Sequence, residues 1–144
     1  DPVRRRQNWG TYAVIDQKLW NRPNKPDQGI GGFVQVGGLT PNDRSLIERY
    51  AGVGLNFIGP FRNRPADVFG IAYNVAETST AFHDFNQAAG TLALDREKVL
   101  EVGYRIQVND WLTVKPNVQF IKNPGADSTR SESRVFGLRF TTIF

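Results

Sequence analysis

Side chains able to do covalent chemistry are sparse in this 144-residue chain. It contains no cysteine, which removes disulfide scaffolding, thiolate-bound zinc and thiol catalysis together. The single histidine, His83, stands beside Asp84 with no nucleophile spaced to use it, so the two read as a surface pair in a long connection. Gly29-Ile-Gly-Gly lacks the spacing of a dinucleotide fingerprint and precedes no helical pattern, so it reads as strand glycine. Neither an enzyme nor a cofactor or metal site is expected. What remains is a polar set recurring at alternate positions: Asp16, Lys18, Gln35, Tyr50, Asn56, Asn74, Glu101, Arg105, Gln107, Lys115, Asn117, Gln119 and Arg139, with Phe33 in the same parity. Counting along the strands puts Arg105, Asn117 and Arg139 near mid-depth on three successive strands.

The elements that position this set are strands. From Lys98 to Asp110, Leu100, Val102, Tyr104, Ile106 and Val108 fall on one parity and Glu101, Gly103, Arg105, Gln107 and Asn109 on the other. Such period-2 alternation marks a strand with two chemically different faces. After Asn109-Asp110 the pattern resumes through Leu112, Val114, Pro116, Val118 and Phe120, which predicts an antiparallel hairpin. Phe136, Leu138 and Phe140 repeat it, as do Phe69, Ile71, Tyr73 and Val75, and Ala51, Val53, Leu55 and Phe57. Glycine-rich 29–38 and residues 8–20 complete seven predicted strands. Pro23, Pro26, Pro41, Pro60 and Pro65 fall in predicted connections, where a missing N–H costs no ladder bond. Pro116 lies inside a strand and predicts a local distortion or an edge. The 80–97 connection has room for a short helix, with Ala88 to Lys98 permissive.

Composition fits an all-β chain. Hydrophobic residues make up 40% and charged residues 22%, too apolar for disorder, and no run of about 18 apolar residues offers a membrane helix. Eighteen Lys+Arg against 14 Asp+Glu give a net charge of +4, and Arg4-Arg5-Arg6 reads as a solvated end. Nucleic acid is not an expected partner. Methionine is absent, so Asp1 is expected to be a processed or excised start.

Alternation alone does not say which face is inside. An apolar interior gives a soluble ligand-binding barrel; an apolar exterior gives a membrane barrel. The faces favour the second. The charges share their face with Gly52, Gly54, Gly70, Ala72, Ala76, Gly103 and Gly137, too small to fill a solid interior. Trp9, Trp20, Phe57, Phe69, Trp111 and Phe144 gather near strand ends, as aromatics do at membrane–water interfaces. With Phe144 on the periplasmic side, connections 20–29, 58–67 and 109–111 are periplasmic. Those at 39–45, 79–97 and 123–133 are then extracellular, so the longest lies outside and the shortest inside. A small structural or adhesive outer-membrane barrel remains a second reading of the same pattern.

Several segments together resemble the C-terminal part of carbohydrate-selective porins of the OprB family. They are Gly10-Thr-Tyr-Ala-Val-Ile-Asp-Gln, Gly31-Gly-Phe-Val-Gln-Val-Gly-Gly, Tyr50-Ala-Gly-Val-Gly-Leu-Asn-Phe and Arg64-Pro-Ala-Asp-Val-Phe-Gly-Ile-Ala-Tyr. Glu101-Val-Gly-Tyr-Arg-Ile-Gln-Val, Trp111-Leu-Thr-Val-Lys-Pro-Asn-Val and the ending Gly137-Leu-Arg-Phe-Thr-Thr-Ile-Phe continue the likeness. The resemblance implies a sixteen-stranded, up-and-down transmembrane β-barrel in the outer membrane of a Gram-negative bacterium, admitting glucose and other sugars by passive diffusion. Residues 1–144 would be the C-terminal portion of that single barrel domain, since sixteen strands need roughly 330 residues or more. Expected partners are the missing N-terminal strands, outer-membrane lipid and small carbohydrates, with self-association into a homo-oligomer open. On this reading the polar parity lines the channel. Its amides and guanidinium groups offer several donors each to sugar hydroxyls, and Phe33 and Tyr50 offer apolar contact to a pyranose ring.

Overall fold

The computed structural model describes residues 9–40, 45–90 and 96–144. The Arg4-Arg5-Arg6 run and Pro41 lie outside them. Seven strands form one antiparallel sheet in chain order: β1 (Trp9–Arg22), β2 (Lys25–Thr40), β3 (Ile47–Ile58), β4 (Val68–Thr78), β5 (Arg96–Gln107), β6 (Leu112–Lys122) and β7 (Ser133–Thr142). At 10 to 16 residues apiece, each is long enough to cross a bilayer when tilted. Helix α1 (Thr80–Ala88) sits in the β4–β5 connection, and a 3-10 turn at Pro124–Ala126 in the β6–β7 connection. Residues 23–24, 59–67 and 108–111 connect strands at one end, and the described parts of the other connections, 45–46, 79–90 and 123–132, lie at the other.

Four local expectations are corrected. The first connection is a two-residue turn at Pro23-Asn24, with Asn24 at φ 60°, rather than the loop 20–29. Pro26 therefore lies in β2. Helix α1 starts eight residues before the permissive stretch, because the Ser79 hydroxyl caps it by accepting from the Phe82 N–H at 3.3 Å. Arg96–Lys98 belong to β5, and 91–95 lie outside the described residues. Pro116 is on an interior strand. Its ladder to β7 runs unbroken through Leu138, whereas the β5–β6 pairing passes from Gly103↔Asn117 to Ile106↔Val114, leaving a gap opposite Pro116. The missing N–H thus produces a local distortion and no edge.

Among the described residues the sheet is one layer without an apolar core. Ala126 is the one hydrophobic residue buried among the described residues. Register puts Ile15, Val34, Val53 and Tyr73 in one line on the apolar face, and Phe136, Leu138 and Phe140 extend that face along β7. These are bare: Ile15 is 67% exposed and Phe136 81%. Side chains of this kind each gain about 1.5–3 kcal/mol on leaving water, so such a face requires an apolar covering.

A bulge sharpens the division. The β1–β2 register steps from Lys18↔Gly31 to Trp20↔Ile30, leaving Leu19 as the extra residue. Strict parity would put Trp20 with Asp16 and Lys18; the bulge turns it onto the apolar face instead. There it heads a cross-strand line through Ile30, Phe57, Phe69 and Tyr104. Phe57 and Phe69 meet with ring centroids 5.8 Å apart, and Phe61 meets Tyr104 at 6.1 Å. Trp111 and Phe144 stand at this same end, with Trp9 at the opposite one.

Candidate functional site

Register groups the polar face into rungs running across the strands. One rung is Asp16–Phe33–Gly54–Ala72–Glu101–Gln119–Val135. The next, toward the short-turn end, is Lys18–Gly31–Asn56–Gly70–Gly103–Asn117–Gly137. Beyond it come Ile58–Val68–Arg105 and Lys115–Arg139. Because the β5–β6 register is constant on both sides of the Pro116 gap, Arg105 lies level with Lys115. Gln107 pairs with Thr113 at the very end. On the other side of the middle, Gln35–Gly52–Asn74–Val99 and Gly37–Tyr50–Ala76 continue the face.

All the predicted polar residues therefore share one face, but the expected depth is corrected. Arg105 and Arg139 lie toward the short-turn end and share their level with Lys115, while Asn117 is one rung away. The middle level belongs to Phe33, Glu101 and Gln119. Counting residues within each strand missed this because it ignores the stagger between strands.

The small residues explain how a polar wall can be flat. A Cβ at Gly54 would sit 2.4 Å from Cε1 of Phe33, so that ring lies across the glycine. At Gly52 it would meet Oδ1 of Asn74 at 2.3 Å, and at Gly137 Oδ1 of Asn117 at 2.2 Å. At Gly103 it would meet Cε of Lys115 at 2.9 Å, and at Gly70 Oδ1 of Asn56 at 3.1 Å. Glycine rows accept neighbouring side chains along the sheet instead of letting them project from it.

Two hydrogen-bond groups fix side chains on this wall. Across β2, β3 and β4, Gln35 Nε2 donates to Tyr50 Oη at 2.6 Å, and the Tyr50 hydroxyl donates to Asn74 Oδ1 at 2.7 Å. Across β5 and β6, Glu101 accepts from Lys115 Nζ at 3.1 Å and Gln119 Nε2 at 2.9 Å. Phe33, Gln35, Tyr50, Asn56, Asn74, Glu101 and Lys115 border one recess of about 240 Å³. A second, of about 320 Å³, lies between Asn56, Arg105 and Lys115. Arg105 reaches the Ala66 carbonyl at 3.5 Å and is otherwise solvent-facing, as is Arg139.

One functional-looking cluster escaped the sequence reading. Asp67, 2% exposed in the 59–67 turn, accepts from Arg64 Nε at 2.7 Å, Tyr104 Oη at 2.8 Å and the Gln107 N–H at 2.9 Å. Burial pushes its carboxyl up, but the three donors outweigh this and hold it below the usual carboxylate range. Gly59, at φ 64°, closes the turn by donating its N–H to the Asp67 carbonyl at 2.8 Å. The cluster ties a turn to β5, so its work is structural. The signal available was Asp67 immediately before an alternating run, behind Pro65. His83 and Asp84 sit 4.0 Å apart on exposed α1, as a surface pair.

Comparison with known proteins agrees with this architecture. The family described as "Carbohydrate-selective porin, OprB family" matches residues 1–144. Porin B of Pseudomonas aeruginosa is 26% identical over 150 residues, which cover 94% of this chain and 32% of that protein. An uncharacterized Synechocystis protein, sll0772, is 27% identical over 154 residues, covering 94% of this chain and 27% of its own length. The chain thus spans about a third or less of these curated relatives. A high-pH structure of Pseudomonas putida OprB superposes with a TM-score of 0.85 at 24% identity, covering 92% of this chain and 34% of that one.

Proposed function

The chain belongs to the carbohydrate-selective porin family, OprB, and from that membership we propose that it builds part of the wall of an outer-membrane channel for glucose and other small carbohydrates. Passage is passive diffusion in the outer membrane of a Gram-negative bacterium. The observation that carries this reading is the opposition of the two faces: large bare apolar residues on one, glycine with hydrogen-bonded amides and charges on the other. Lipid covers the first and water fills the second.

The sheet has open edges at β1 and β7. In hydrocarbon each unpaired backbone group costs several kcal/mol, so further strands of the barrel complete the wall. The short turns at 23–24, 59–67 and 108–111 are periplasmic, with Trp20, Phe57, Phe69 and Trp111 at that interface and Trp9 at the outer one. In the wall, Phe33 supplies a flat apolar patch, and Gln35, Tyr50, Asn74, Asn117 and Gln119 exchange hydrogen bonds with sugar hydroxyls as water is shed.

The test is glucose-driven swelling of liposomes containing the complete porin that carries this chain. Swelling well above that of protein-free vesicles supports the reading, and a rate equal to theirs refutes it. Arg105→Ala and Arg139→Ala, measured in the same porin, change sugar flux or ion selectivity. If neither quantity moves, those two residues merely keep the wall polar.

A further inference from the structure

The recess between β3 and β6 differs chemically from the rest of the wall. Its floor is made by Gly70 and Gly103 with the aliphatic Ile58 and Val68; Asn56 stands on one side and Arg105 and Lys115 on the other. Lys115 is directly opposite Arg139, with Arg105 at the same level, so three cations share one rung on neighbouring strands. Like charges placed opposite each other on a sheet destabilise it. Among the described residues Glu101 is the carboxylate that reaches the rung, at 3.1 Å from Lys115 Nζ, and Arg105 and Arg139 stay exposed beside it.

We propose that this recess is a binding site for anionic sugars, passing sugar acids or sugar phosphates in addition to neutral carbohydrates. The inference rests on the porin reading above and names a further substrate class for the same wall. The anionic group lies against the Arg105 guanidinium, whose planar fork matches a carboxylate or phosphate, with Lys115 adding a second charge. The C–H face of the sugar covers Gly70, Gly103, Ile58 and Val68. The Asn56 amide both donates to and accepts from a hydroxyl. A neutral hexose uses the floor and the amide and leaves the cations hydrated.

The experiment is block of single-channel KCl current in the complete porin by glucuronate, glucose 6-phosphate and glucose. Wild type binds at least one of the two anions more tightly than glucose; which one separates the carboxylate from the phosphate source. Arg105→Gln lowers the affinity ratio of that anion to glucose about fivefold, the scale of a charge in contact at about 4 Å in water, and adding Lys115→Gln lowers it by about tenfold or more in all. Arg105→Lys keeps the charge without the fork and gives an intermediate ratio. Arg62→Gln, an exposed charge in the 59–67 turn, leaves the ratio in place. The proposal is overturned if wild type shows no preferential block by either anion. It is equally overturned if both glutamine variants keep the wild-type ratio, even where their ion selectivity shifts. Failure of the porin reading is separate: it appears as absent glucose swelling in wild type.

Discussion

Asp67→Ala tests the idea that one buried carboxylate holds the 59–67 turn against β5. The substitution removes the acceptor for three donors at 2.7, 2.8 and 2.9 Å. Hydrogen bonds to a charged group are worth about 1.5–3 kcal/mol each, but the three do not count equally. The Arg64 side chain is 43% exposed and rehydrates when released, so its share is the smallest of the three. Tyr104 Oη and the Gln107 N–H are less accessible and lose most of their bonds. The expected cost is about 3 kcal/mol. Asp67→Asn keeps an acceptor for Gln107 while losing the charge, for about half of that. Urea titration of the refolded barrel in detergent micelles, followed by tryptophan fluorescence, reads both. The pH dependence adds an independent check. A carboxyl held below its ordinary value of 3.8 contributes stability that is fully present above that value and is lost as pH falls through the lower folded value. The difference between wild type and Asp67→Asn therefore stays constant from neutral pH to about 4 and shrinks below it. An Asp67→Ala cost under about 0.5 kcal/mol, or a difference that grows on acidification, refutes this account of the turn.

Three further outcomes follow from the wall. Gly54→Ala places a methyl against the Phe33 ring and 3.0 Å from the rigid Ile71 carbonyl, so the ring swings into the channel; single-channel conductance falls, stability drops by about 1–3 kcal/mol, and Phe33→Ala in the same chain restores conductance. Glu101→Gln frees Lys115 from its counter-charge, and the anion-to-cation permeability ratio, read as a reversal potential in a KCl gradient, rises by about twofold. Asn109→Ala removes the side-chain oxygen that accepts from the Trp111 and Leu112 N–H groups at 3.1 and 2.8 Å, costing about 1 kcal/mol in the same urea assay, because the turn is exposed and water replaces part of the loss.

The legible part of the fold is the part governed by period 2. Leu100 to Gln107 and Leu112 to Phe120 were readable as strands because one face must be apolar and the other must not, whereas Val108, in the same alternation, already belongs to the turn. The same rule misassigns residues wherever the backbone inserts one. Leu19 is such an insertion, and it moves Trp20 across the sheet. Depth was not legible either, because relative stagger is set by pairing between strands and each strand's own sequence is silent on it. Hence Lys115, and not Asn117, shares a level with Arg139. The α1 start was available in principle from Ser79, a capping residue, though the weakly patterned stretch after it hid where in the 80–97 connection the helix lies. The role of Asp67 is set by distant partners, since Tyr104 and Gln107 are 37 and 40 positions away. The residues of the polar parity do share one face of the sheet, because alternate positions along a strand must.

The central claim is that the glycine-rich polar face meets water and the apolar face meets lipid. This chain has no cysteine, so single cysteines introduced into it report cleanly. Asn117→Cys, Val118→Cys and Gln119→Cys occupy consecutive positions on β6, an interior strand, and differ only in the face they sample. The measurement is their reaction with a charged, membrane-impermeant thiol reagent in intact outer membranes. The account predicts fast labelling at 117 and 119 and protection at 118. Labelling at 118 with protection at 117 and 119 would mean that the apolar face is exposed to water, and would contradict it.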